Sequence, residues 1–518
     1  MPLFDKVLVA NRSEIAVRIM RTLREMGIRS VAVYSDVDRD SPHVWESDEA
    51  FHVGAPPSED SYLNMGNILD IAARSGVRAI HPGYGFLAEN ATFARICEES
   101  GFVFIGPSSK AIGLLGDKAE ARRRMSGSGV PIIPGSDGSV TSPEEAEFLV
   151  RRIGCPVLLK PVAGGGGKGM RVVQKPDETK SAFRASQSEA RKAFGDDRVY
   201  IEKYIVDPRH IEFQIFADQH GTVVHLCERE CSIQRRHQKL IEEAPSPVIT
   251  PELREKMGNA AREVARAAQY RNSGTVEFLL DKNGKFYFME MNTRLQVEHP
   301  VTEFVTGTDL VFWQIAIAAG EEIPAYFRSI KPRGWSLECR ISSEDPFNDF
   351  LPSAGRITAY ELPGGPWVRV DSGVTIGSEV TLFYDPLIAK LVVWAQTRRE
   401  AIERMKRALS EFRVAGVRTT IPFHLLVMND SDFVKGSYDT SFLSRKGDLD
   451  QSPESDGSEL AAMIGAVVTR ADDNQSAAVT KKAGTPDQSA WRKASYEEGT
   501  RKREEWGTLK QDEKRRRT

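Results

Sequence analysis

Two glutamates stand inside neighbouring runs of apolar residues near the middle of the chain. Glu277 lies in the strand-like run 275–280, and Glu290 follows the turn at residues 281–284. Two strand-like runs joined by a short turn predict a hairpin in which the carboxylates face each other. Buried like charges need a cation, and carboxylate oxygens beside the Asn292 carbonyl suit Mg²⁺ carried on a nucleotide phosphate. The pattern therefore predicts a metal site at Glu277, Glu290 and Asn292.

The alternative for these glutamates is a solvated hairpin face with ordinary surface acids. It is the weaker interpretation, because apolar residues make this hairpin a core element: Phe278, Leu279, Phe286, Phe288, Met289 and Met291. Arg294, Glu298 and His299 follow directly after the second run. We therefore expect further charged groups at the same site.

Four consecutive glycines at residues 164–167 separate two more strand-like runs, 156–162 and 170–173. Glycine lets backbone amides approach anionic oxygens while the loop stays mobile, like a flap over phosphates. A flexible linker is the alternative, but the strands flank the glycines closely and Lys160 and Lys168 bracket them. This is not a Walker loop, because no Gly-Lys-Ser/Thr opens a helix.

The first part of the chain alternates strand-like and helical patterns. The strand-like runs are residues 6–10, 30–34, 79–81 and 102–105, and the helical patterns are residues 13–26, 62–75 and 90–99. This alternation predicts an open, Rossmann-like parallel sheet. The first turn, residues 10–14, lacks the GxGxxG that a dinucleotide pyrophosphate needs, so a nicotinamide cofactor is not expected.

Composition excludes several classes of protein. The 518 residues are 40% hydrophobic and 28% charged, as in an ordinary soluble globular protein. A formal net charge of −3 gives no basis for nucleic-acid binding. No long apolar run occurs, and charged residues interrupt the first twenty positions, so neither a membrane span nor a signal peptide is expected. These features predict a cytoplasmic protein.

The five cysteines are scattered and odd in number, which argues against a disulfide framework. Only Cys227 and Cys231 are close in sequence, and His225 and His237 near them raise the possibility of zinc. The spacing does not match the usual CxxC pairs, and alternate strand residues would point to one face without a metal. We therefore do not expect zinc.

Six motifs, in the same order, resemble those of the biotin carboxylase family, whose ATP-grasp fold clamps ATP between two α+β subdomains. They are residues 10–16, 81–90, 116–118, the glycine loop, 229–239 and 290–302. The resemblance runs from about residue 4 to residue 443. It implies that ATP and bicarbonate are used to carboxylate biotin through carboxyphosphate.

The resemblance also implies roles on the nucleotide side. Lys118 and Lys160 would neutralise phosphate oxygens, and Gly166 and Gly167 would cover them. The remaining nucleotide or cofactor contacts would come from Glu202, Lys203, Ile205, His210, Gln234, His237, Gln296 and Val297. Glu277, Glu290 and Asn292 would hold Mg²⁺ or Mn²⁺. For His237, a packed, hydrogen-bonded histidine is the alternative.

On the bicarbonate side, the resemblance implies binding by Lys239, Arg294 and the Val297 amide. Arginine offers a planar fork that matches carbonate. Glu298 would be the general base that deprotonates bicarbonate, and Arg340 would stabilise the enolate oxygen of biotin. The alternative for Arg340 is an ordinary ion pair with Glu338 or Glu344.

The resemblance implies four segments with a mixed α/β and α+β fold. These are an N-terminal Rossmann-like domain at 1–115, an ATP-grasp domain at 116–332 with a mobile glycine-rich lid at about 131–204, a β-containing C-terminal domain at 333–446, and a tail at 447–518. We expect the tail to be disordered apart from a short apolar helix near residues 459–468. We hypothesise that this helix docks the carrier protein or the transferase.

A biotin-accepting Met-Lys-Met motif is absent from the sequence; the single Met-Lys, at Met405, lies in a helical pattern. We therefore expect biotin to arrive on a separate biotin carboxyl carrier protein. The resemblance further implies a homodimer that works with carboxyltransferase subunits of an acetyl-CoA, propionyl-CoA or pyruvate carboxylase. The transferase, a different chain, would select the acyl acceptor.

Two other functions are compatible with the same motifs. One is another ATP-grasp ligase, which would join a carboxylate to an amine through an acyl phosphate. The other is an inactive, ATP-sensing scaffold subunit. The scaffold is disfavoured because it would tolerate loss of Glu277, Glu290, Arg294 or Glu298, and all four are present.

Overall fold

The computed structural model describes residues 4–162 and 169–447, apart from the side chains of Lys118, Ala119 and Phe194. The predicted tail helix and the glycines of the loop at 164–167 lie outside these ranges. Within them, no helix combines the length and the apolar character that crossing a membrane requires.

The N-terminal part is a parallel sheet with helices on both faces. Its strands are β1 Lys6–Val9, β2 Arg29–Ser35, β3 Glu49–Gly54, β4 Ala79–His81 and β5 Val103–Phe104. Its helices are α1 Ser13–Glu25, α2 Pro42–Glu46, α3 Met65–Ser75, α4 Ala91–Glu99 and α5 Ser109–Gly116. The strand order is β3-β2-β1-β4-β5, and all neighbouring pairs are parallel.

Alternation along β1 explains why helices cover both faces. Val7 and Val9 pack into the cluster that contains Ile19 of α1, whereas Leu8 packs into the cluster that contains Ile71 of α3. Side chains of successive strand residues point to opposite faces, so a wholly apolar strand needs cover on both. The predicted parallel sheet is therefore confirmed, with β3, α2 and α5 as elements that the sequence patterns did not indicate.

The turn after β1 binds the turn after β4. Asn11 Nδ2 donates to the carbonyl oxygens of Pro82 and Tyr84, at 2.7 and 2.8 Å. Gly83 has a φ of +64°, and a Cβ there would lie 2.9 Å from Asn11 Nδ2. Glycine is required at this close approach. Two of the sequence motifs thus meet at one end of the parallel sheet.

A small antiparallel sheet follows. Its elements are α6 Lys118–Ser126, α7 Pro143–Ile153, β6 Val157–Pro161, β7 Arg171–Val173, α8 Thr179–Phe194 and β8 Val199–Lys203. The strand order is β7-β6-β8, and Val157, Leu159 and Phe183 belong to a separate apolar core. The glycine loop connects β6 to β7.

The remainder contains a large antiparallel sheet. The next elements are β9 Arg209–Ala217, β10 Val223–Arg235, β11 Gln238–Ala244, α9 Pro251–Ala267, β12 Asn272–Leu280, β13 Phe286–Asn292, α10 His299–Thr306 and α11 Leu310–Ala318. The last strands are β14 Trp335–Ser342, β15 Glu344–Asp345, β16 Leu351–Pro352, β17 Gly355–Arg356, β18 Ala359–Glu361, β19 Val368–Ser372, β20 Glu379–Val380, β21 Leu387–Ala395 and β22 Arg413–Ala415. The last helices are α12 Arg398–Glu411, α13 Ile421–Asn429, α14 Ser431–Lys435 and α15 Phe442–Arg445.

Eight of these strands form one sheet, in the order β13-β12-β9-β10-β11-β14-β21-β19. The sheet continues across the predicted boundary at residue 332, because β11 pairs with β14 through Ile241 and Cys339. Side chains from the ATP-grasp and C-terminal parts can therefore meet on one sheet face. The predicted combination of a parallel N-terminal sheet with a mixed α+β remainder is confirmed.

Candidate active site

The small antiparallel sheet β7-β6-β8 and the eight-stranded sheet border a cavity of about 730 Å³. The predicted site residues that line it are Lys160, Glu202, Lys203, Ile205, His210, Gln234, His237, Lys239, Glu277, Glu290, Asn292, Arg294, Gln296, Val297 and Arg340. Glu298 lies behind this wall and is fully buried. Gly166 and Gly167 lie outside the described residues, as does the side chain of Lys118.

The hairpin of β12 and β13 has the predicted register. Glu277 pairs directly with Glu290, and a register shift follows at Phe278. Asn292 Nδ2 donates to Glu277 Oε1 at 2.8 Å, and His210 Nε2 lies 3.1 Å from Glu277 Oε2. Burial raises the pKa of Glu277, but Lys239 and His210 outweigh it and hold that pKa well below its usual range. The hairpin thus presents an ionised carboxylate to the cavity.

Lys239 on β11 is bound by three carboxylates. Its ammonium lies 2.6 Å from Glu212 Oε2, 2.9 Å from Glu277 Oε1 and 2.7 Å from Glu298 Oε1. Burial lowers the pKa of Lys239, yet these three acids raise it well above its usual value. All three N–H donors of the ammonium are therefore used, and its position is fixed.

Glu298 is bound on both oxygens. Oε1 accepts from Lys239, and Oε2 accepts from Arg340 Nη2 at 2.8 Å. Burial raises the pKa of Glu298, but Lys239, Arg340 and the buried Arg229 lower it well below its usual range. Glu298 is therefore a carboxylate at neutral pH, with lone pairs left to accept a proton.

The alternative interpretation of Arg340, an ordinary ion pair with Glu338 or Glu344, is not what the structure shows for this residue on β14. Its Nε donates to Glu242 Oε1 at 2.6 Å, and its Nη2 donates to Glu298. The reason is the sheet register: β11 supplies Glu242 beside β14. Arg340 keeps further N–H donors for a substrate.

Arg294 lies inside the cavity wall. Its Nε donates to Glu89 Oε2 at 2.7 Å, and its Nη1 donates to Gln296 Oε1 at 3.0 Å. Glu89 belongs to the N-terminal motif at residues 81–90 and also accepts from the Thr293 amide at 2.9 Å. A contact between the N-terminal and central parts thus orients this guanidinium.

At the other end of the cavity, Lys160 on β6 forms an ion pair with Glu202 on β8. Lys203 Nζ donates to the carbonyl oxygens of Gly154 and Cys155, at 2.9 and 3.0 Å. His237 is exposed at the turn between β10 and β11, so it is not the packed histidine that was the alternative. Its ring is accessible from the cavity.

A second cavity, of about 450 Å³, lies against the same wall. Lys239, Arg294, Val297 and Arg340 line both cavities. The rest of its lining includes Arg12, Tyr84, Phe86, Phe383 and Tyr384. It therefore combines aromatic surface with a cationic end.

Several charged residues at the site did not stand out in the sequence. Arg122 lines the larger cavity and lies 3.8 Å from Glu202. Its position four residues after Lys118, on the same helix face, is a signal that could have indicated it. Arg229 is fully buried and donates to Gln214 and Thr302, each at 2.9 Å. It opens the motif at residues 229–239, but no role of its own was predicted for it.

Cys227 and Cys231 do not share a metal-binding cluster among the described residues. Cys231 Sγ lies 4.0 Å from Glu298, and Cys227 lines a different cavity beside Arg254. Burial raises the pKa of Cys227 to about 12 and that of Cys231 well above its usual value. Both remain thiols at neutral pH. Lys239 also occupies the space between Glu212 and Glu298, the acids nearest to Cys231.

The central part of the chain belongs to an ATP-binding class. Residues 117–326 match the family model described as carbamoyl-phosphate synthase L chain, ATP binding domain. Residues 3–112 and 338–445 match the models for the N-terminal and C-terminal domains of biotin carboxylase. The chain belongs to the biotin carboxylase family, and the resemblance seen in its motifs is confirmed.

Individual relatives agree with this assignment. A biotin carboxylase of Nostoc is 54% identical over 440 residues, which are 85% of this chain and 98% of that protein. A pyruvate carboxylase subunit of Methanothermobacter thermautotrophicus is 54% identical over 441 residues, 85% of this chain and 90% of that protein. The biotin carboxylase domain dimer of Hydrogenobacter thermophilus 2-oxoglutarate carboxylase, with MgADP, ADP and bicarbonate, has a TM-score of 0.84 and 49% identity. That comparison covers 87% of this chain and 99% of that chain. This family places the chain among ATP-dependent ligases that carboxylate biotin.

Proposed function

We propose that the chain uses ATP to convert bicarbonate into carboxyphosphate and then carboxylates biotin presented by a separate carrier protein. The observation that supports this most directly is the wall shared by the two cavities, which contains Lys239, Arg294 and Arg340. ATP in the larger cavity and the biotin ring in the smaller one would meet at this wall. The cationic side chains of this wall suit an anionic substrate that lies between ATP and biotin.

The larger cavity has suitable groups for ATP. Lys160 and Lys118 would neutralise phosphate oxygens under the amides of Gly166 and Gly167. Because Lys203 Nζ is bound to two carbonyl oxygens, we assign the adenine contact to the backbone from Lys203 to Ile205, together with Glu202. The ribose or phosphate contacts would come from His210, Gln234, His237 and Gln296.

The hairpin fits a divalent metal. Glu277, Glu290 and Asn292 offer carboxylate and amide oxygens, the hard ligands that Mg²⁺ prefers. Glu277 is held ionised, so it is ready to bind a cation. A bound Mg²⁺ would neutralise phosphate charge there.

Bicarbonate would bind at the shared wall. The fork of Arg294 and the Val297 amide would hold its oxygens. Lys239 would contribute to binding through its positive charge, because its three donors already bind carboxylates. The Glu298 carboxylate would take the proton from bicarbonate. The freed oxygen would attack the γ-phosphorus as the bond to ADP breaks, giving carboxyphosphate and ADP. The cations that lower the pKa of Glu298 would also acidify bicarbonate, which offsets the weaker basicity of this carboxylate.

Biotin would enter through the smaller cavity. Carboxyphosphate would split into CO₂ and phosphate, and the phosphate would take the ureido proton of biotin. Arg340 would stabilise the negative ureido oxygen while the nitrogen attacks CO₂. The aromatic lining from Tyr84, Phe86 and Phe383 suits the apolar body of the biotin ring. Exclusion of water from the closed site would protect carboxyphosphate from hydrolysis.

We further propose a homodimer in the cytoplasm that works with a biotin carboxyl carrier protein and carboxyltransferase subunits. Support comes from relatives: one is part of a pyruvate carboxylase, and one solved structure is a domain dimer. The pyruvate carboxylase assembly and the dimer are properties of those two relatives, and we extend them to this chain as a proposal. Co-purification of the full chain with its neighbours in the cell tests the partners.

Steady-state ATP turnover tests the activity. The proposal predicts that ADP release by the full chain requires bicarbonate and rises with free biotin. Turnover driven by an amine without biotin would identify another ATP-grasp ligase. ATP binding without bicarbonate-dependent turnover would identify a scaffold subunit.

A further inference from the structure

The short segment between β13 and α10 carries three groups of the proposed bicarbonate site. They are the Arg294 side chain, the Val297 amide and the Glu298 carboxylate. The segment belongs to no strand or helix, so no regular ladder of hydrogen bonds fixes its backbone. Two buried side chains bind its carbonyl oxygens instead. His299 Nδ1 lies 2.8 Å from Gln296 O, and Lys390 Nζ lies 2.9 Å from Val297 O.

His299 acts on the peptide unit that contains the Val297 amide. A carbonyl oxygen can only accept, so Nδ1 must carry the proton of the ring. Burial lowers the pKa of His299 well below its usual value, and the ring is neutral with its hydrogen on Nδ1. The Gln296 carbonyl and the Val297 N–H are the two ends of one peptide unit. A hydrogen bond to the carbonyl polarises and orients the N–H at the other end.

Lys390 holds the next peptide unit. It lies on β21 with a fully buried side chain. Its ammonium is 3.3 Å from Glu14 Oε1 of α1 and 3.8 Å from Asp371 Oδ2 of β19. These two acids compensate the buried charge, and the Val297 carbonyl takes one of its hydrogen bonds. Parts of the chain far from the nucleotide thus meet at the backbone of one residue.

We propose that His299 and Lys390 are positioning residues for bicarbonate. They hold the two peptide units on either side of the Val297 α-carbon, so that the Val297 amide and the Glu298 carboxylate keep a fixed separation. The inference rests on the proposed role of this segment in binding bicarbonate. Neither side chain lines the larger cavity, so each acts through the backbone rather than by touching nucleotide.

Substitutions at His299 separate positioning from simple packing. His299→Asn retains a donor near the place of Nδ1, whereas His299→Gln, of similar polarity, moves the donor to the place of Nε2. For the full chain with free biotin, we expect the KM for bicarbonate to rise about tenfold in His299→Gln. It should stay near the wild-type value in His299→Asn, and the KM for ATP should not change in either variant. Equal bicarbonate KM values for both variants would overturn the role of His299.

Lys390→Arg is the second variant, and it keeps the positive charge between Glu14 and Asp371. Its larger guanidinium cannot take the place of the ammonium at the Val297 carbonyl, so we expect a selective rise of about tenfold in the KM for bicarbonate. A fall in thermal stability with an unchanged KM for bicarbonate would show that Lys390 is only structural. Wild-type turnover without any bicarbonate dependence would instead reject the proposed function itself.

Discussion

Glu298 Oε2 lies 2.8 Å from Arg340 Nη2, and this contact joins the loop before α10 to strand β14. The other oxygen of Glu298 is bound to Lys239 of β11. The proposed base is therefore clamped between one residue of the ATP-grasp part and one of the C-terminal part. Because a single sheet carries β11 and β14, the separation of the two cations is set by strand pairing.

Removing the charge of Glu298 should stop bicarbonate activation. For Glu298→Gln we expect kcat for ADP release to fall on the order of 10²- to 10⁴-fold, because the amide cannot take a proton from bicarbonate. ATP binding, measured by calorimetry, should persist. Glu255→Gln, at an exposed position on α9, is the matched control and should retain wild-type turnover. Full activity in Glu298→Gln would exclude Glu298 as the base.

Replacing Arg340 by lysine should impair the carboxylation of biotin more than the binding of ATP. The guanidinium contacts Glu242 through Nε and Glu298 through Nη2, and a single ammonium cannot span both while serving biotin. We expect the stimulation of ATP turnover by biotin to fall at least about 100-fold. The KM for ATP should stay unchanged. Arg418→Lys, on the exposed surface, provides the comparison; an equal loss there would contradict the prediction.

Glu290 should set the magnesium requirement. Glu290→Gln removes one of the two opposed carboxylates on the hairpin, so the Mg²⁺ concentration for half-maximal ADP release should rise at least about tenfold. Excess Mg²⁺ should restore part of the rate. A titration with Mg²⁺ after EDTA treatment measures both. An unchanged requirement would place the metal elsewhere.

The sequence predicted the parts of the site that are local in the chain. The pairing of Glu277 with Glu290 follows from a hairpin only a few residues long, so alternation and turn chemistry were enough. Contacts between distant segments were not predictable in this way. Glu89 reaches Arg294 only where the N-terminal part packs against the segment after β13. Lys390 on β21 reaches Val297 only because the large sheet folds strands from distant parts of the chain together. Strand β3 was also missed, because an edge strand that is only partly buried lacks a strong apolar pattern.

The pair of Asp38 and Arg12, beside the smaller cavity, should make stability depend on pH. Arg12 Nε lies 2.6 Å from Asp38 Oδ2, and Tyr62 donates to the same oxygen at 2.5 Å. Burial raises the pKa of Asp38, but Arg12 outweighs it, and the pKa falls from 3.8 to about 2. A carboxyl group whose pKa is lower in the folded protein than in the unfolded chain stabilises the folded state at pH values above the unfolded pKa. This stabilisation is lost as the pH falls towards about 2.

From that shift, the ionised Asp38 contributes about 2 kcal/mol to the free energy of unfolding at neutral pH. Asp38→Asn should therefore lower Tm at pH 7, and the gap to wild type should narrow as the pH falls below about 3.8. Asp36→Asn is the neighbouring control at a half-exposed position, where a change of charge should leave Tm nearly unaltered. Scanning calorimetry over this pH range measures the gap. Parallel curves for wild type and Asp38→Asn would show that the carboxylate does not carry this stability.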